Sequence, residues 1–92
     1  MVQKKGAVTT SDGGRYIHKL CKHFTHRVPA TWSEYEGTVN FDMGVCVMTA
    51  EAQTLTFVCE AENSSDLSEI LDTVKGHFDR FAVKDQLVLN WL

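Results

Sequence analysis

The chain has 92 residues, of which 43% are hydrophobic, and a formal net charge of −3 at pH 7. This length predicts one domain over residues 1–92. No apolar run reaches the roughly 18 residues that a membrane-spanning helix needs, so no membrane insertion is expected. The N-terminal ten residues lack the apolar segment of a signal peptide, and the three cysteines have no CxxC spacing. Both features favour a cytoplasmic protein with reduced thiols.

The charges are distributed unevenly along the chain. Residues 1–27 contain six Lys or Arg and one acidic residue, Asp12, whereas residues 28–74 contain nine Asp or Glu and no Lys or Arg. Nucleic-acid binding usually requires a domain that is basic as a whole, so a nucleic-acid partner is not expected. A basic segment on an acidic domain favours an acidic protein or a small anion as the partner. A domain this small has limited stability alone, so a homodimer is also consistent with the sequence.

A short strand over residues 4–9 and a helix over residues 12–26 are the first predicted elements. Thr10, Ser11 or Asp12 provides a side-chain oxygen to cap the helix, and Pro29 prevents its continuation. Four apolar residues fall within one arc of roughly 100° on the helix surface and predict its buried stripe. They are Ile17, Leu20, Cys21 and Phe24. The opposite side carries Arg15, Lys19, Lys22 and His26.

The histidines of this helix leave several interpretations open. Cys21 and His23 project about 160° apart, so they do not bind one metal together. The pairs His18–Cys21 and His23–His26 have compatible spacing, but zinc needs three or four ligands. The alternatives are therefore a buried Cys21 with solvated or capping histidines, a metal or cofactor role, and an anion-binding or partner-docking role.

The middle of the chain predicts a meander of antiparallel strands. Alternating apolar and polar residues indicate strands over residues 28–36, 38–42, 45–50 and 54–61. Tight turns are expected at Gly37, at residues 43–44 and at residues 51–53, with glycine supplying positive φ. If the last turn closes a hairpin, Cys46 and Cys59 are direct cross-strand neighbours. The order of the strands within the sheet is not determined by the sequence.

A second helix and a final strand complete the predicted fold. Ser65 or Asp66 is expected to cap the helix, and Leu71 and Val74 lie near the centre of its apolar stripe. Residues 86–92 predict a strand with Leu87, Leu89 and Trp91 facing inward. The order β-α-β-β-β-β-α-β predicts an α+β two-layer sandwich, with an antiparallel sheet and two helices on one face.

If both helices cover the same sheet face, a surface site is expected where the C-terminal turn of the first helix meets the second half of the second helix. His77 lies at the margin of the second helix and would approach the edge of the first helix that carries Tyr16 and His23. Clustered cations attract anions, and the predicted ligand-binding residues are Arg15, Lys22, His23, His26, His77 and Arg80. If the histidines are neutral and convergent instead, His23, His26 and His77 become candidate metal ligands.

Several stretches resemble the bacterial domain-of-unknown-function family 2218. They are Arg15-Tyr16, Leu20 to Phe24 with His26-Arg27, Phe41 to Gly44 with Cys46, His77 to Phe81, and Leu87 with Trp91. The resemblance implies a small cytoplasmic bacterial domain with no established activity. It also implies a context beside or fused to siderophore-interacting flavoproteins, and hence iron-related physiology. Arg27 stands where a lysine is usual in that family.

Catalysis receives the least support from the sequence. No nucleophile elbow, phosphate-binding loop or HExxH motif is present. A nucleophile–base pair of Cys21 and His77 is disfavoured because Cys21 faces the core, where a thiolate is unstable. The favoured interpretation is a binding or accessory module linked to iron or siderophore handling. The alternatives are a direct metal or haem binder that uses the histidines, and a protein–protein interaction domain; no cofactor is indicated.

Overall fold

The computed structural model describes residues 1–92 and contains two helices on one face of a six-stranded antiparallel sheet. This confirms the predicted α+β class and the predicted order of elements. The helices are α1 (Gly13–Phe24) and α2 (Ser64–Phe81), and a short 3₁₀ helix covers Val83–Asp85. The strands are β1 (Val2–Thr9), β2 (Ala30–Trp32), β3 (Glu36–Phe41), β4 (Gly44–Ala50), β5 (Thr54–Ala61) and β6 (Asn90–Trp91). Neither helix is long and apolar enough to cross a membrane.

The sheet has the order β2-β3-β4-β5-β1-β6. The meander from β2 to β5 forms one side, and β1 pairs with β5 and β6. Cys46 and Cys59 are directly opposite each other in the β4–β5 register, which confirms the cross-strand prediction. Both thiols are buried and free. A hydrogen bond with Cys59 and burial raise the pKa of Cys46, so the Cys46 thiol is held neutral.

One core lies between the sheet and the helices. Leu55, Phe57 and Cys59 point inward from β5, as their alternation predicts. The helices cover them with apolar side chains, of which the fully buried ones are Ile17, Leu20 and Cys21 from α1 and Ile70, Val74 and Phe78 from α2. The placement of Leu71 at the centre of the α2 stripe was wrong, because Leu71 is only partly buried at its edge.

The predicted glycine turns were misplaced by one or two residues. Gly37 lies inside β3, and the preceding turn covers residues 33–36, closed by the Ser33 amide donating to the Glu36 carbonyl. No glycine has a positive φ. Gly37 is instead required by the close approach of α1, because a Cβ there would lie 2.7 Å from Ile17 and 2.8 Å from the sulfur of Cys21.

The turn predicted at residues 43–44 was misplaced in the same way, because Gly44 is not part of it. It is the first residue of β4, and the turn before it consists of Asp42 and Met43. A Cβ at Gly44 would lie 2.2 Å from the carbonyl oxygen of Glu60 on the neighbouring strand. The glycine therefore permits close packing of β4 on β5 rather than a turn conformation.

The helix ends also differ from the predictions. α1 ends at Phe24 rather than His26, because residues 25–27 form turns that finish with the Val28 amide donating to Phe24. No side chain caps α1, since the Asp12 carboxylate contacts Arg15 instead. α2 is capped by Asn63, whose side chain accepts from the Asp66 amide, rather than by Ser65 or Asp66.

Two predicted strands are shorter than expected. β2 has only three residues, because Pro29 has no amide proton and the turn at residues 33–36 follows directly. The last strand covers only Asn90–Trp91. Before it, side chains of α2 replace the strand partner: the Leu89 amide donates to Asp79 at 2.9 Å, and Lys75 donates to the Leu89 carbonyl at 2.7 Å.

Candidate functional site

The N-terminal end of α1 is a closed electrostatic network. Arg15 contacts Asp12 at 3.3 Å and Asp85 at 3.0 Å, so its charge is compensated by two carboxylates. Asp85 belongs to the 3₁₀ helix that follows α2. Arg15, one of the predicted ligand-binding residues, therefore holds two parts of the chain together and does not join the other predicted site residues.

Tyr16 completes this network from the core. Its ring is buried against Phe78, with ring centroids 5.1 Å apart, and its hydroxyl donates to the Asp85 carboxylate. Burial, followed by the hydrogen bond to Asp85, raises the pKa of Tyr16 to about 12. The same hydrogen bond, supported by Arg15, lowers the pKa of Asp85. This end of α1 is thus a structural connection whose positive charge is fully compensated.

The C-terminal end of α1 brings together the two helices as predicted. The imidazole rings of His23 and His77 have centroids 4.7 Å apart and an interplanar angle of 43°. Phe24 lies beside both rings, at 5.5 Å from His23 and 5.0 Å from His77. Phe81 lies 5.6 Å from His23 on the other side. Two residues separated by more than fifty positions therefore share one aromatic cluster.

The orientation of His77 follows from its hydrogen bond. Its Nδ1 lies 2.8 Å from the carbonyl oxygen of Thr73, one turn earlier in α2. Because a carbonyl oxygen only accepts, this contact assigns a proton to Nδ1. The Nε2 atom of His77 is left to interact with a ligand.

His23 has an environment that resists protonation. Contact with neighbouring groups removes water from the ring and lowers the pKa of His23, and the charges of His77, His26, Arg80 and Arg27 lower it further. Each of these neighbours is positively charged or becomes so when it is protonated. An anion placed here would remove the conflict, because it stabilises the protonated form of His23.

No ion pair compensates the cations at this end. The three ion pairs of the structure join Arg15 to Asp12, Arg15 to Asp85, and Lys75 to Asp79. Lys22, His26, Arg27 and Arg80 are exposed and belong to none of them. The structure therefore separates the compensated Arg15 from the other five predicted binding residues. Arg27, which was not predicted, joins these five in a group that we name the cationic cluster: Lys22, His23, His26, Arg27, His77 and Arg80.

The same geometry does not assemble a metal site. No three His, Cys, Asp or Glu side chains come close enough together to hold a metal ion. His26 lies beyond the end of α1, in the turn that follows it. His18, which has compatible spacing with Cys21, instead accepts a hydrogen bond from Trp32 at 3.2 Å, and Cys21 is buried in the core. Burial raises the pKa of Cys21 to about 11.

Two cavities meet at His23. The first, of about 410 Å³, lies on the polar side of α1 and is lined by basic side chains, including Lys22 and His26, together with Phe81. The second, of about 610 Å³, is lined mainly by Phe24, Val28, Phe41 and Met43, with Arg27, Thr73 and His77 at its polar wall. His23 lines both cavities, so it separates a basic surface from an apolar groove.

Sequence reasoning missed the apolar part of this site. Phe41 was placed in the strand at residues 38–42 and Met43 in the turn at residues 43–44, and neither position carries a local signal of a binding groove. They reach it because the β3–β4 turn lies beside the C-terminal end of α1. The T-shaped contact between Phe24 and Phe41, at 5.4 Å, makes that connection.

Comparison with known proteins supports the family and the fold. A bacterial family described as "Uncharacterized protein conserved in bacteria (DUF2218)" matches residues 5–92. The NMR structure of PA4090 from Pseudomonas aeruginosa is similar with a TM-score of 0.82 and 23% sequence identity, over 100% of this chain and 96% of that chain. At this identity the similarity concerns the fold alone. Among curated proteins, none matches the chain.

Proposed function

This chain belongs to the bacterial family DUF2218, and we propose that it is a binding module that holds a small anion at the cationic cluster. The observation that carries the proposal is the contact of His23 and His77, 4.7 Å apart, among cations that no carboxylate compensates. Bringing two protonatable rings together in this setting costs free energy when both are charged. A bound anion would offset that cost, and the guanidinium groups of Arg27 and Arg80 are suited to oxyanions.

The resemblance noted in the sequence adds a physiological context to this proposal. A link to iron or siderophore handling would make an acidic siderophore, or its ferric complex, a natural ligand of the module. The sign of the charge at the cationic cluster suits such a ligand. The alternative of direct metal or haem binding through histidines has less support, because no third protein ligand accompanies His23 and His77.

An NMR titration of the ¹⁵N-labelled protein tests anion binding. Sulfate and citrate, added at constant ionic strength, should shift the resonances of His23, His77 and Arg80 together and saturably. A His23→Ala variant should weaken this response at least five-fold. A Lys5→Ala variant is the matched control, because it removes one positive charge from the opposite face of the sheet. Shifts confined to one helix, or equal losses in both variants, would contradict the proposal.

The uncovered outer face of the sheet favours a second function, self-association. Val47 is 37% exposed at its centre and pairs with the half-buried Val58. Lys5 lies beside Val58 on one flank and Glu36 lies on β3 at the other flank, so two copies related by a two-fold axis would place opposite charges against each other. We expect a weak homodimer, since five strands at ~4.8 Å spacing and ~3.3 Å per residue present less than the about 800 Å² per partner of a standard interface.

Sedimentation equilibrium over a wide concentration range tests this second function. The protein should show a reversible monomer–dimer equilibrium that Val47→Glu abolishes and that the charge exchange Lys5→Glu with Glu36→Lys preserves. A monomer at every concentration would show that the outer face has no partner in a second copy.

A further inference from the structure

The apolar groove beside His23 indicates the chemical class of the ligand as well as its charge. Its volume of about 610 Å³ is within the range of roughly 300–1,000 Å³ that small-molecule sites occupy. Its apolar lining is continuous and comes from three elements: Phe24 at the end of α1, Val28 after it, and Phe41 and Met43 at the β3–β4 turn. Arg27, His23 and His77 line the same groove, so it offers both apolar and basic side chains to a ligand.

The apolar wall is held in place by the core. Phe24 is only 7% exposed, and its ring contacts those of Phe41 at 5.4 Å and His77 at 5.0 Å. His77 is fixed in turn by its hydrogen bond to Thr73. A groove with walls fixed in this way loses little conformational entropy when a ligand enters, which favours binding.

Arg27 gives the charged part its chemistry. It lies on the groove side of His23, whereas Lys22 and His26 line the cavity on the other side. A guanidinium group binds a carboxylate through two parallel hydrogen bonds, which fixes the orientation of the ligand as well as its charge. With His23 and His77 next to it, Arg27 offers room for one acidic head group at the mouth of the groove.

From these observations we infer that the ligand is an amphipathic carboxylic acid, with its carboxylate between Arg27 and His23 and an aromatic or branched apolar body against Phe41 and Met43. This inference rests on the proposed anion-binding function and adds the class of ligand to it. A purely polar anion would leave the apolar wall in water. The apolar body of an amphipathic ligand would remove both that wall and itself from water, which strengthens binding.

A matched set of small ligands tests this inference by NMR titration. Benzoate has the acid and the apolar body, acetate has the acid alone, and benzyl alcohol has the body without the charge. Benzoate should bind at least ten-fold more tightly than either of the others at the same pH and ionic strength. It should also shift the methyl resonance of Met43 together with the ring resonances of His23 and His77.

Two variants separate the apolar part from the charged part. Met43→Gln keeps the length of the side chain but makes the wall polar, so it should reduce the preference for benzoate over acetate by at least three-fold. Lys5→Ala, on the opposite face of the sheet and outside the cationic cluster, should leave that preference unchanged. If sulfate and citrate bind at His23 and His77 but benzoate binds no more tightly than acetate, the inference is wrong while the proposed function stands. If no anion binds there, both are wrong.

Discussion

The two ends of α1 contain the same kinds of residue and use them in opposite ways. At the N-terminal end, Arg15 is compensated by Asp12 and Asp85, and Tyr16 donates to Asp85 from the core. At the C-terminal end, His23 and Arg27 have no carboxylate partner, and His23 contacts His77 instead. The first end therefore stabilises the fold, and the second leaves its positive charge without a carboxylate partner.

This difference shows that the basic character of a helix does not by itself indicate a binding site. Arg15 and Arg27 are both exposed arginines in one short segment. Asp85, seventy residues after Arg15, distinguishes the two arginines, because the fold places it at the N-terminal end of α1 only. Each prediction below tests whether the ends differ in the way that this account requires.

The largest expected effect is on the free energy of unfolding, to which the two ends of α1 should contribute differently. Tyr16→Ala should lower the free energy of unfolding by about 3–5 kcal/mol, because it removes a buried aromatic ring and leaves a cavity beside Phe78. His23→Ala should change it by no more than about 0.5 kcal/mol, as is typical of exposed positions. Urea denaturation monitored by circular dichroism measures both. Equal losses in the two variants would remove the distinction between a structural end and a binding end.

A smaller effect isolates the hydroxyl of Tyr16. Tyr16→Phe keeps the ring and removes only the hydrogen bond to Asp85, so it should cost about 1 kcal/mol. The lowered pKa of Asp85 means that its contribution to stability is present above the pKa of an unfolded aspartate and is lost as the pH falls through the lower pKa of the folded state. Tyr16→Phe should therefore reduce the loss of stability on acidification below pH 4. An unchanged acid profile would mean that this hydrogen bond does not hold Asp85 ionised.

The smallest effect concerns His23. Its pKa in the folded protein is below the usual value of a histidine, 6.5, so the unfolded chain binds more protons between these two values, and stability should fall slightly as the pH drops through this window. An NMR pH titration should give a midpoint below 6.5 for His23. His77→Ala should raise that midpoint, because it removes a neighbouring positive charge. A midpoint that does not respond to His77→Ala would show that the two rings titrate independently.

Much of the fold was predictable from local patterns. Alternation located β5 to the residue, the hairpin register placed Cys46 opposite Cys59, and the apolar stripes put both helices on one sheet face. The approach of His77 to His23 followed from those stripes. Errors arose where tertiary contacts decide the outcome, as at Gly37, which the close packing of α1 requires to be glycine.

The site was less predictable for the same physical reason. Asp85, which pairs with Arg15 and Tyr16, lies in a 3₁₀ helix that ends at Gln86 in the left-handed conformation, with φ of 58°. No periodic pattern indicates this conformation. The contribution of Phe41 and Met43 to the groove depends likewise on where the β3–β4 turn lies in three dimensions. Sequence periodicity predicts which face of an element is buried, but it does not predict which ends of elements meet.

The central claim is that the cationic cluster binds an anion, and that the bound anion favours the protonated form of His23. The most direct test is the sulfate affinity measured by NMR at His23 and His77 at pH 5.5 and pH 7.5, since sulfate stays fully ionised over this range. The account predicts at least five-fold tighter binding at pH 5.5 and a sulfate-induced rise in the pKa of His23. Affinity that does not change with pH, or an unchanged pKa of His23 at saturating sulfate, would contradict it.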